Sequence, residues 1–292
     1  MHLNGRYALL TAFLVAALGY AWRWFALERA AGGTRKPRPA DVLIGFAANF
    51  FDTLGIGSFA PTTAIFKMQQ RMADEDIPGT LNVGHALPTV AEALVFVAMV
   101  TVDLTTLIAM IAAAVVGAWS GAGIVARAPR RIIQLGMGVA LLVAAVLMLA
   151  KNLAWLPAGG EAVGLHGAAL VFGVCANCLL GALMMLGVGL YAPCLILVSL
   201  LGMSPLAAFP IMMGSCALLM PVGGARFVRT RRYNPGAALG LTLGGIPGVL
   251  CAAFVVKSLP IGWLRWLVVI VVMYAAALML LSGRRTLSER RG

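Results

Sequence analysis

The sequence predicts an all-α polytopic membrane protein: two inverted repeats of four hydrophobic elements each, with broken, re-entrant helices, and one extra N-terminal helix. Three observations predict it. The 292-residue chain is 61% hydrophobic and only 11% charged, whereas soluble domains are about 45–50% apolar. Apolar runs of about 20 residues recur along the whole length, enough for a helix to cross a bilayer. Two of these runs are spoiled in the same way, by "GFAANFFDTLGIGSFAP" at 45–61 and "GVCANCLLGALMMLGVGLYAP" at 173–193.

The apolar segments fall at 8–27, 43–66, 80–99, 104–126, 132–150, 168–201, 205–225, 236–256 and 262–282. The first has two readings. It resembles a signal peptide with Arg6 as its basic end, but Arg23, Arg29, Arg35, Lys36 and Arg38 follow the run, which favours a retained helix. No later stretch is long and polar enough to be a separate soluble domain. The net charge of +12 does not point to nucleic acid, because the basic residues sit in short loops between apolar runs, as membrane topology requires. Cys175, Cys178, Cys194, Cys216 and Cys251 all lie in apolar segments and read as packing residues. "CANC" lacks the second pair and polar setting of a zinc site. The pattern calls for no metal and no cofactor.

The repeat emerges on shifting the chain against itself. A shift of 128 lays Gly45 and Asn49 on Gly173 and Asn177; a shift of 132 lays Gly55, Gly57, Ala60 and Pro61 on Gly187, Gly189, Ala192 and Pro193. A shift of 131 lays Asp103, Gly117 and Pro129 on Asn234, Gly248 and Pro260. The expected organisation is a helix and linker at 1–40, a first repeat at 41–151, a connection at 152–166, a second repeat at 167–283 and a basic tail at 284–292.

Lys and Arg cluster at 28–40, 67–79, 127–131, 226–235 and 283–292, while the connections at 100–103, 202–204 and 257–261 hold only Lys257. With every cluster in the cytoplasm, the crossings count correctly only if 43–66 enters and leaves on the cytoplasmic side and 168–201 on the outside. A 24-residue segment cannot be two full crossings, which need about 40 residues; it can be a re-entrant hairpin of two half-helices. The halves then face opposite ways. The expected location is a bacterial inner membrane, with the N-terminus outside and the C-terminus cytoplasmic.

Inverted repeats with broken helices are a secondary-transporter design whose site lies near mid-membrane. Glycine lets the chain turn, and proline suits the first turn of a new helix. "GIGSFAP" and "GVGLYAP" therefore read as a turn followed by a helix start. A helix start offers free N–H groups and a positive dipole end to an anion. The plainer reading is that these glycines only let helices approach closely; matched copies in both halves favour the site. Its candidate residues are Gly55, Gly57, Ser58, Phe59, Pro61, Thr62 and His85 in the first half, and Gly187, Gly189, Tyr191, Pro193, Cys194 and Ser215 in the second. An acid inside a membrane is costly and is usually functional, so Asp52 is the candidate coupling group. His85 and Glu92 lie seven residues apart on one helix face, placed to relay protons with Asp52, since imidazole titrates near neutral pH; His85 can equally satisfy a backbone carbonyl. His85 aligns roughly with Ser215. Asn49 and Asn177 match, and interhelical hydrogen bonding and substrate contact are both open to them. "DED" at 74–76 reads as a solvated loop face.

A glycine-rich turn followed by proline, once in each of two four-element halves, resembles the sulfite exporter TauE/SafE family, also called the toluene-sulfonate uptake permeases. The resemblance covers about 43–282. It implies transport of a small sulfur-containing anion such as sulfite or an organosulfonate, coupled to a proton or sodium gradient. The family's usual G-x-G-G-G is replaced here by Gly55-Ile56-Gly57-Ser58-Phe59 and Gly187-Val188-Gly189-Leu190-Tyr191. Phe59 and Tyr191 would then offer an apolar wall to an organic tail. The rival classes are a passive anion channel, with the same site and no coupling, and an intramembrane enzyme or assembly factor. The last lacks an H-E-x-x-H or paired-acid motif, and Asp52, His85 and Glu92 all come from one half. The expected partners are a small anion and membrane lipid, with oligomeric state open.

Overall fold

A computed structural model describes residues 2–33, 36–155 and 159–255, together with Met273, Ala277 and Leu280. The segment expected at 262–282, apart from those three residues, and the basic tail at 284–292 lie outside the described residues. The elements in chain order are α1 (His2–Ala30), α2 (Pro39–Thr53), α3 (Phe59–Met68), a 3-10 turn (Asp74–Asp76), α4 (Ile77–Gly84), α5 (Ala86–Met99), α6 (Leu104–Val125), α7 (Arg130–Asn152), α8 (Gly167–Met184), α9 (Tyr191–Leu200), α10 (Pro205–Thr230) and α11 (Pro235–Val255). Among the described residues every element is helical, apart from one isolated bridge between Ala162 and Met203. Among the described residues seven helical stretches are long and apolar enough to span a membrane.

The two spoiled runs are the two places where short helices meet at a sharp turn. At 1.5 Å per residue, α2 is about 22 Å long and α3 about 15 Å, both short of a bilayer core of about 30 Å. In the second run α9 is equally short, but α8 is one of the spanning candidates, so the two arms there are unequal. After α3 the chain is back where α2 began: Arg71 pairs with Asp41 at 3.2 Å. After α9 it is likewise back beside the start of α8, with Gly160 N–H donating to Met203 O at 3.1 Å and Ser204 N–H to Ala162 O at 2.8 Å.

Helix packing follows an exchange between the halves. The first helix of each half lies along the third apolar element of the other, α2 on α11 and α8 on α6, while α4–α5 and α10 cross at the centre. The approach is close because glycines face backbone. A Cβ at Gly45 would collide with the Leu241 backbone, and one at Gly181 with that of Ala114. Between helices in lipid, such backbone proximity supplies most of the attraction.

The apolar segment at 80–99 forms two helices, not one. Pro88 has no N–H to give the Gly84 carbonyl one turn back, so the helix breaks at His85. The orphaned carbonyl is satisfied from the other half, where Thr242 Oγ1 donates to Gly84 O at 2.7 Å.

Four described basic clusters meet at one end, tied by acids. Lys67 bonds both oxygens of Asp74 at 2.8 and 2.7 Å, Gln134 adds a third bond at 2.7 Å, and Arg130 reaches Asp74 and Glu75. Arg232 pairs with Asp76 and Arg231 with Glu28. The solvated loop face expected at 74–76 is therefore corrected: Asp74 is only 5% exposed, because its charge is matched by Lys67. α1 docks on the bundle through Phe13 and Trp24, both buried, and Trp24 Nε1 donates to the Tyr233 hydroxyl at 3.1 Å. Tyr233 in turn donates to Glu28. Burial, and then this bond to Glu28, push the Tyr233 hydroxyl above its ordinary range, so it remains a donor. Of the cysteines, Cys194 and Cys216 are buried, Cys175 is exposed, and Cys178 and Cys251 lie between.

Candidate functional site

The two turns use glycine differently. Gly55 has φ 82°, Gly57 φ 92° and Gly187 φ 94°, in the left-handed region where glycine pays no steric penalty. Gly189, which aligns with Gly57, has no positive φ; a Cβ there would lie 3.6 Å from Phe59 Cβ, an ordinary contact. The polypeptide reverses through two left-handed glycines in the first half and one in the second.

Both turns end in a helix start of the same form. Ser58 and Leu190 are the N-caps, with Pro61 and Pro193 in the first turn. The first helical bonds run from Thr62 N–H to Ser58 O at 3.1 Å and from Cys194 N–H to Leu190 O at 2.9 Å. The N–H groups of Phe59, Ala60, Tyr191 and Ala192 precede those bonds and have no partner within the helix. The two starts face one cavity. It is lined by Asp52, Gly57, Ser58, Phe59 and Ala60 from the first half and by Gly189, Leu190, Tyr191, Ala192 and Cys216 from the second, with Thr89 and Met220 among the rest. Its free space is about 30 Å³, room for about two water molecules.

Asp52 is 2% exposed and stands at the mouth of the α3 start, where the Ser58 N–H and hydroxyl lie against its carboxylate. Its Oδ1 has no hydrogen-bond partner among the described residues. Nothing acidic occupies the corresponding place in the second half, where Leu180 and Met184 stand.

Behind the cavity runs a hydrogen-bonded chain. Asn49 Nδ2 donates to Gly45 O at 2.7 Å, which leaves Asn49 Oδ1 facing His85 Nδ1 at 3.1 Å. Nδ1 is then the donor, and His85 Nε2 accepts from Thr62 Oγ1 at 3.3 Å. One turn along α2, Thr53 Oγ1 lies 2.8 Å from Asn49 O and 3.0 Å from Glu92 Oε1. Glu92 Oε2 accepts from the Tyr191 hydroxyl at 2.5 Å, a bond between the halves. The second half repeats the first link: Asn177 Nδ2 donates to Ser215 Oγ at 3.1 Å and to Met110 O at 2.8 Å. The sequence match of Asn49 with Asn177 and of His85 with Ser215 is thus a match of bonded pairs.

Of the residues singled out from sequence, Asp52, Gly57, Ser58, Phe59, Gly189 and Tyr191 line the cavity. The others stand behind it. Gly55 lies against Phe209 and Gly187 against Met137, while Thr62, His85, Cys194 and Ser215 are fully buried. Glu92 reaches the cavity wall through Tyr191. His85 and Glu92 are joined by Asn49 and Thr53 and not by Asp52, which points into the cavity. Thr53, Thr89 and Cys216 were missed. Thr53 was findable, since it lies four residues after Asn49 and so on the same helix face.

A family model described as Sulfite exporter TauE/SafE matches residues 2–148. The chain belongs to that family. It is accordingly a multi-pass membrane protein of a transport family. The match takes in α1 as well as all but the last three residues of the first half, so the helix that the sequence sets apart from the repeats lies within the TauE/SafE region. No curated protein matches the chain, and no solved structure does.

Proposed function

We propose that this TauE/SafE protein is a secondary transporter that holds a small sulfur oxyanion, sulfite above all, between the starts of α3 and α9, and that Asp52 couples its passage to protons. The observation that carries the reading is the meeting of two matched helix starts, one from each half, at one cavity. Their free N–H groups and positive dipole ends suit an anion. Space for about two waters favours an inorganic oxyanion over an organosulfonate.

Coupling follows from a competition. A charged Asp52 and a bound anion both seek the start of α3, and they repel each other. Proton binding to Asp52 removes the rival charge and frees the seat. The same proposal takes 41–151 and 167–283 as inverted repeats, with α2–α3 and α8–α9 as re-entrant arms from opposite sides of a bacterial inner membrane. The gathering of basic clusters at one end supports a cytoplasmic placement for that end, with the N-terminus outside and the C-terminus inside. Reporters fused between the halves, at Ala158–Gly160, and after Gly292 should fall on opposite sides of the membrane, the first outside and the second inside; the same side for both would remove the inverted repeat.

The functional test is flux. Purified protein in vesicles should accumulate sulfite against its gradient when a pH difference is imposed, with methanesulfonate moved more slowly and toluenesulfonate least. Flux without accumulation would make it a channel. Chemical conversion of the sulfite would make it an enzyme.

A further inference from the structure

A second cavity lies at the basic end, away from the helix starts. It is formed where the C-terminal ends of α6 and α10 diverge, has about 320 Å³ of free space, and is lined by Gly123, Ala126, Arg127, Arg226, Arg229 and Thr230. Three arginines and no acid face it. At the same end Lys67, Arg71, Arg130, Arg231 and Arg232 form ion pairs, while Arg29, Lys36, Arg38 and Arg131 form none among the described residues but do not line the cavity. Among the described residues Arg127, Arg226 and Arg229 form none.

Topology alone explains some of this, because cations are favoured at helix C-termini and on cytoplasmic loops. It does not explain where Arg226 goes. That side chain turns back toward the membrane, with its guanidinium 5.4 Å from the centre of the Trp119 ring. It passes over Gly123, where any Cβ would collide with it. Val116 is 61% exposed and Trp119 58% exposed, on the face of α6 that carries Gly123, in a helix long and apolar enough to span. The basic cavity therefore opens directly onto an apolar, lipid-facing stripe. A soluble anion needs only the arginines. A molecule with an anionic head and apolar tails fits both parts, and basic pockets between membrane helices bind such headgroups.

We propose that this cavity seats the headgroup of an anionic phospholipid, with Arg127, Arg226 and Arg229 around the phosphate and the acyl chains lying along Trp119 and Val116. The site is separate from the sulfite site and does not depend on it.

The test is lipid binding to the full chain in detergent, read by native mass spectrometry with phosphatidylglycerol, phosphatidylcholine or glycerol 3-phosphate added. Phosphatidylglycerol should bind in preference to phosphatidylcholine, and glycerol 3-phosphate should not displace it. Each arginine should contribute about fivefold in affinity, so the combined Arg127→Gln, Arg226→Gln, Arg229→Gln variant should bind phosphatidylglycerol about a hundredfold more weakly. If that variant does not fold, the Arg127→Gln, Arg229→Gln pair, at exposed positions, should still lose about 25-fold. Equal binding of phosphatidylcholine, undiminished phosphatidylglycerol binding in the variant tested, or displacement by glycerol 3-phosphate would each overturn the proposal.

Discussion

The two broken helix pairs share a backbone plan and differ in chemistry. Both carry an asparagine bonded to a residue on the central crossing helix, a left-handed glycine, and a proline in the first turn of a short helix. The first pair adds Asp52, Ser58 and the His85–Thr62 contact, whereas the second has Leu190 and Cys194 at the positions of Ser58 and Thr62. Besides its backbone N–H groups, the second pair contributes one polar side-chain group to the cavity wall, the Tyr191 hydroxyl, and that group is held by Glu92 of the first half. The two helix starts are thus alike in backbone, while the Asp52 carboxylate and the Ser58 hydroxyl belong to the first pair only.

The strongest way to break this comparison is at Asp52. Asp52→Asn should abolish sulfite accumulation driven by a pH gradient and leave sulfite exchange across vesicles largely intact. Loss of both to the same degree would return Asp52 to a structural role. Next comes Tyr191→Phe, which makes the second turn resemble the first at Phe59. It leaves Glu92 Oε2 buried without its partner, at a cost of about 1–3 kcal/mol, seen as a lower thermal midpoint of the purified protein; an unchanged midpoint would mean that the bond between the halves carries no weight.

The glycines give a smaller and sharper contrast. Gly57→Ala puts a side chain at φ 92° and should cost about 1–2 kcal/mol and weaken sulfite binding by calorimetry. Gly189→Ala, without positive φ and with Phe59 Cβ at 3.6 Å, should be nearly neutral. Equal effects would show that the turns are alike after all. The smallest effects belong to the shared scaffold. Pro61→Ala and Pro193→Ala should each cost about 0.4–1 kcal/mol, and the two should match, because both prolines occupy the same place in a first helical turn.

Most of the scaffold was legible in the sequence because membrane helices announce themselves by length and hydropathy, and because glycine and proline mark turns by what they cannot or need not do. Gly55, Gly57 and Gly187 stand at the reversals for that reason. Gly45 was legible only as half of a repeat match; its use, against the Leu241 backbone, depends on a helix almost 200 residues away, which no local pattern encodes. The charged loop at 74–76 misled for a similar reason. Its solvation depends on where Lys67 and Gln134 come to rest, and three consecutive acids say nothing of that. The break at His85 was hidden because the segment stays apolar across Pro88, and hydropathy does not register a missing N–H. At the candidate site, Asp52 stood out as an acid in an apolar run, but the route from His85 to Glu92 through Asn49 and Thr53 required knowing that α2 lies alongside α5.

The borrowed hydrogen bond at Gly84 has a consequence for motion. The α4–α5 helix lacks its own bond at Pro88 and takes one from Thr242 on α11, so bending there and sliding of α11 are one event. A neutral hydrogen bond is worth about 1 kcal/mol net, and tenfold in population corresponds to about 1.4 kcal/mol. Loss of this bond alone therefore weakens the hold of α11 on the break by only about fivefold: the joint between the two halves is fastened at this point by a single neutral contact, and most of its hold comes from the packing of Leu241 and Ala238 against Gly84.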